Sequence, residues 1–79
     1  MNASGTGIDI QVEVFKTNVE NHTEAKDIIS GLSVQFPGHR INFDLQDCDR
    51  ILRVAGENFQ PDAIVHFLSN KGYTCEVLI

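Results

Sequence analysis

Four short segments of this chain alternate apolar and polar residues, and two segments between them repeat apolar residues at spacings of three and four. Period two marks a half-buried strand, and the three–four spacing marks an amphipathic helix. The order is strand, helix, strand, strand, helix, strand. Each element has one apolar side that it must bury against another element, so few folds accommodate this order.

The first alternation runs from Ile8 to Val14. It predicts a strand that buries Ile8, Ile10, Val12 and Val14 and leaves Asp9, Gln11 and Glu13 wet. Asn21 is a good helix N-cap, and Glu24 follows at capping-box spacing. Ala25, Ile28, Ile29, Leu32 and Phe36 then form one stripe, weakened by Gly31 and ended by Pro37-Gly38. Ile41, Phe43 and Leu45 define a second strand, Asp47-Cys48-Asp49 a turn, and Leu52 and Val54 a third strand. The short connection makes an antiparallel hairpin.

Pro61 suits the first turn of a second helix, whose apolar side is Ile64, Val65, Phe67 and Leu68. Gly72 suits the left-handed residue after it. The segment Tyr73–Ile79 is a fourth strand burying Cys75, Val77 and Ile79.

The expected fold class is α+β: a ferredoxin-like βαββαβ sandwich with a four-stranded antiparallel sheet in the order 4-1-3-2 and two helices on one face. Residues 1–7 read as a flexible leader and residues 8–79 as a single domain. The open sheet face is expected to show Asp9, Gln11, Glu13, Asp44, Arg53 and Glu76, with Phe15, Ile51 and Leu78 also pointing that way. The first strand–helix junction, the hairpin turn and the start of the fourth strand share one end. Any chemistry is expected there.

Six basic against eleven acidic residues give a net charge of −5. Phosphate backbones and anionic membrane surfaces attract through lysine and arginine, and here those residues are scattered. No nucleic acid and no membrane are therefore expected as partners. Two cysteines, no secretory leader and no apolar run of about 18 residues point to a reducing, cytoplasmic setting.

With these elements placed, the chain from about Ile10 to Leu78 resembles the heavy-metal-associated domain of copper chaperones and metal-pumping ATPases. That family carries Met-x-Cys-x-x-Cys before a helix whose apolar residues follow the second cysteine by four and eight positions. Counting back from Ile28 and Leu32 puts Glu24 at the second cysteine, Asn21 at the first and Val19 at the methionine. Pro37-Gly38 resembles the family's Gly-Val entry to strand two, and Asn70-Lys71-Gly72-Tyr73 its exit from helix two. The resemblance implies the fold, but the thiolates that bind soft ions such as Cu(I) are lost, and amide or carboxylate oxygen does not replace them.

His22 and Glu24 form an alternative, non-thiol metal site, with imidazole and carboxylate suited to Zn²⁺ or Ni²⁺, and Cys48 is a further candidate ligand. His39 is expected at the opposite end and His66 on the second helix, so the histidines do not cluster. Cys75 reads as a small buried hydrophobe and Cys48 as an exposed thiol, too far apart to bridge.

No nucleophile–base pair, phosphate loop or convergent carboxylate pair is present, and Gly5-x-Gly7 precedes the first strand instead of following it. The expectation is a non-enzymatic domain with no catalytic residues and no cofactor. It is read as an interaction module, monomeric or weakly dimeric, docking a protein through the open sheet face or the loop end, where Val19, Asn21, His22, Glu24 and Tyr73 are the candidates.

Overall fold

The computed structural model describes residues 10–78. The expectations for residues 1–7, Ile8, Asp9 and Ile79 lie outside that range. Six elements follow in the anticipated order: β1 (Gln11–Thr17), α1 (His22–Gln35), β2 (Arg40–Asp44), β3 (Ile51–Gly56), α2 (Pro61–Asn70) and β4 (Cys75–Val77). All strand pairs are antiparallel. Hydrogen bonding orders the sheet β2-β3-β1-β4. Read from the β4 edge, the same neighbours run 4-1-3-2.

The helices form where local chemistry permits. The Asn21 carboxamide accepts from the Glu24 backbone N–H at 2.9 Å, so the N-cap is made as expected. Glu24 reaches back to the N–H of Glu20 at 3.1 Å, one residue further than the usual reciprocal partner. At the end of α2, Gly72 has φ +92, Gly72 N–H donates to the Ser69 carbonyl and Tyr73 N–H donates to the Leu68 carbonyl. These two bonds make a Schellman stop, which needs the positive φ that glycine accepts without strain.

Both helices bury their stripes in the same core. Ala25, Ile28 and Leu32 of α1 and Ile64 and Leu68 of α2 meet Phe15, Leu52 and Val54 of the sheet. The helices therefore lie on one face. Gly31 sits where they approach: a Cβ there would come within 2.5 Å of the Phe67 ring tip, so the residue that weakens α1 locally makes room for α2.

One expectation is overturned. Strand β1 faces the opposite way: Phe15 and Thr17 are buried, while Val12 is 54% and Ile10 59% exposed. Gln11, Glu13 and Phe15 lie on the helix side, not on the open face, and Val12 and Val14 lie on the open face. The cause is the pairing register. Phe15 stands opposite Leu52 and Val77, and Thr17 opposite Cys75. A strand has period two, so only one of its two sides can face the core. The side carrying Phe15 continues through Thr17 to the fully buried Val19. Burying a phenylalanine side chain contributes about 1.5–3 kcal/mol, which outweighs what Val12 gains at the strand end. Gln11 and Glu13 are tolerated on that side because both stay partly exposed. The Gln11 amide also donates to the Phe59 carbonyl at 2.9 Å and to Glu13 at 3.1 Å.

Candidate functional site

Two places could carry function, and they are built differently. The first is the β1–α1 junction. Val19 is fully buried, so it anchors the loop in the core. The Thr17 hydroxyl donates to the Arg50 carbonyl at 2.6 Å and accepts from Val19 N–H at 3.2 Å. The Asn18 side chain accepts from Thr74 N–H at 2.9 Å, tying the loop to the approach to β4. Arg50, at φ +47 in the hairpin, donates from one guanidinium nitrogen to the carbonyls of Glu20 (3.2 Å) and Leu45 (3.0 Å). The loop and the hairpin turn are thus clamped to each other. Sequence reasoning did not find Arg50, because its partners are backbone atoms five and thirty residues away.

His22 is exposed and begins α1. Among the described residues, the grouping of three potential metal ligands that the fold assembles is Asp47, Cys48 and Asp49, not His22, Glu24 and Cys48. In that turn the Asp47 carboxylate already accepts from Asp49 N–H at 2.8 Å, and Asp49 lies 3.8 Å from Lys16. Both cysteines are free, Cys48 exposed and Cys75 half-buried. Burial pushes the Cys75 thiol up to about 12. Tyr73, half-buried beside α1, is held neutral to higher pH by partial desolvation and by the Glu24 and Asp27 carboxylates. These groups stabilise a neutral rim; they do not make a nucleophile. No enclosed cavity is present among the described residues.

His39 Nε2 is the one buried side-chain nitrogen or oxygen without a partner among the described residues. Its ring packs edge-on against Phe36 and Phe59, its Nε2 is enclosed, and Gly56 leaves no room for a Cβ beside it. Its position before β2 places it at the end away from the hairpin, as expected.

The second place is the open sheet face. Register places Arg40, Ala55 and Val12 in one row across β2, β3 and β1. Asn42, Arg53 and Val14 form the next row, extended by Leu78, whose N–H donates to the Val14 carbonyl at 2.8 Å. Asp44 and Ile51 follow, with Lys16 and Glu76 paired beyond them. Arg53, Ile51, Leu78, Asp44 and Glu76 are on this face as expected. Ile51 is only 6% exposed yet stands apart from the core cluster, in keeping with its place on this side.

Ile10, Val12 and Leu78 are exposed aliphatics along one strip, with Val14 half-exposed between them. Arg40 and Arg53 are exposed and make no side-chain hydrogen bond or ion pair among the described residues. Comparison with protein-family models, with curated proteins and with solved structures gives no match. Among the described residues no helix is long and apolar enough to cross a membrane.

Proposed function

We propose that this chain is a non-enzymatic protein-interaction module of ferredoxin-like topology. In this reading it is similar in outline to heavy-metal-associated domains without their thiol site, and it docks a protein partner through the open sheet face and not through the Val19–Glu24 loop. The observation that carries the proposal is the strip of Ile10, Val12 and Leu78, exposed beside Arg40 and Arg53. Contiguous exposed aliphatic surface rimmed by polar groups marks an interaction site more often than an isolated exposed residue does.

The loop supports docking and metal binding less. The Asn21 carboxamide oxygen and one oxygen of the Glu24 carboxylate are engaged at the start of α1.

The test is affinity capture from the native cell with three baits: the wild-type chain, Val12→Asp and Val34→Asp. Val34 is 81% exposed on α1 and serves as the control. A partner retained by wild type and Val34→Asp but lost by Val12→Asp is the expected result. Capture that ignores Val12, or saturable Zn²⁺, Ni²⁺ or Cu(I) binding with amide shifts centred on residues 19–24, would overturn the reading.

A further inference from the structure

The open face differs in charge from the rest of the molecule. Among the described residues, three basic ones, Lys16, Arg40 and Arg53, stand on it, against two acidic ones, Asp44 and Glu76. Those five residues carry a net +1, in a chain whose total is −5. Lys16 lies 3.8 Å from Asp49, whereas Arg40 and Arg53 have no charged partner among the described residues.

Arg40 stands opposite Ala55 and Arg53 opposite Asn42, so the two arginines are diagonal neighbours on adjacent strands. Diagonal neighbours lie about 7–8 Å apart, within span of two carboxylates on one partner. Guanidinium forks bind carboxylates in two-point fashion. Beside them runs the aliphatic strip, along β1 from Ile10 to Val14 and across to Leu78 just beyond β4.

The position of this strip decides the shape of its occupant. At Val14 the strip has Arg53 on one side and Leu78 on the other, so an occupant that uses all of it lies over the face. A sheet face is covered by a helix or by another sheet. From Ile10 to Val14 the strip spans about 13 Å at ~3.4 Å per residue, roughly two and a half turns of helix at ~5.4 Å per turn. A second copy of this chain packed through the same face would bring the same unpaired arginines to the interface. Single-stranded nucleic acid would need rings to stack on, and the aromatic side chains Phe15, Phe36, Phe43, Phe59, Phe67 and Tyr73 all belong to the helix side.

We infer that the open face receives an amphipathic helix of another protein, with an aliphatic stripe over Val12, Val14 and Leu78 and carboxylates along the flank that meets Arg40 and Arg53. This rests on the reading of the open face as a docking surface, and it adds the partner's chemistry.

The experiment uses a displayed library of 18-residue peptides. Leucine is fixed at i, i+4, i+7 and i+11, and the flanking positions are randomised among Glu, Lys and Gln. Selection on the wild-type chain enriches Glu along one flank by tenfold or more. Selection on Arg40→Glu/Arg53→Glu transfers the enrichment to Lys, and Val12→Asp retains no peptide. Circular dichroism confirms that these surface variants keep the fold.

Enrichment of Lys or Gln on wild type, no enrichment at all, or Glu enrichment unmoved by the double reversal would overturn the inference. So would a concentration-dependent dimer that protects the Val12 amide. If no peptide is selected while the native partner is still lost on Val12→Asp, the helical acidic partner fails and the docking face stands. If native capture ignores Val12, the docking face itself fails.

Discussion

At the β1–α1 junction the side chains of Asn18, Asn21, Glu24 and Arg50 all end on backbone atoms. On the open sheet face Arg40 and Arg53 end on nothing among the described residues, and Ile10, Val12 and Leu78 are left in solvent. The junction has the bonding of a structural loop. The face has no motif at all and keeps its bonding capacity unused. Sequence resemblance draws attention to the first region, and unsatisfied chemistry draws it to the second.

The largest effect that separates the two sides of β1 is in the core. Phe15→Ala is expected to cost about 3–5 kcal/mol, while Val12→Ala, on the open side, stays within about 0.5 kcal/mol. Chemical denaturation of both variants checks this; similar losses would mean that β1 does not face as described. At the junction the expected loss is smaller. Asn21→Ala removes the N-cap of α1 and should cost about 1 kcal/mol by the same measurement. A neutral result there would leave the asparagine free for another role.

A further effect is on the alkaline side, and it belongs to the junction end alone. Cys75 and Tyr73 both have folded pKa values raised above their ordinary ones, the former from 9.0 to about 12. The native state therefore holds protons that the unfolded chain releases. Stability is full below about pH 9 and falls as pH rises toward the folded values. Melting temperatures measured from pH 8 to 11 should decline, and Cys75→Val should flatten the slope. A slope unchanged in that variant would remove Cys75 as its source.

Much of the architecture was legible because it is written locally. The N-cap at Asn21, the proline start of α2 and the glycine stop at Gly72 each follow from a few adjacent residues. The phase of β1 was not legible. Ile8, Ile10, Val12 and Val14 form one period-two series, and Phe15, Thr17 and Val19 form another in the opposite phase. Alternation reports the period of a strand, but the side that faces the core is chosen by pairing with Leu52 and Val77, which lie far along the chain. The sheet face suffered the same loss: Arg53 could be placed there, but not its want of a partner, nor its company of Val12 and Val14. Arg50 was invisible for a related reason, since a left-handed arginine bonding to carbonyls leaves no pattern in the sequence.

The Arg50 clamp also bears on how the domain breathes. One guanidinium holds the carbonyls of Glu20 and Leu45 together, and the Arg50 carbonyl holds the Thr17 hydroxyl. The loop cannot lift without releasing the hairpin turn, so the two segments behave as one unit of local unfolding. Hydrogen exchange should show the amides of Val19 and Arg50 opening with a common free energy, and Arg50→Met should lower both together. Separate rates in the wild type would show that the two segments open independently. The clamp thus predicts that opening at this end engages the loop and the hairpin turn together.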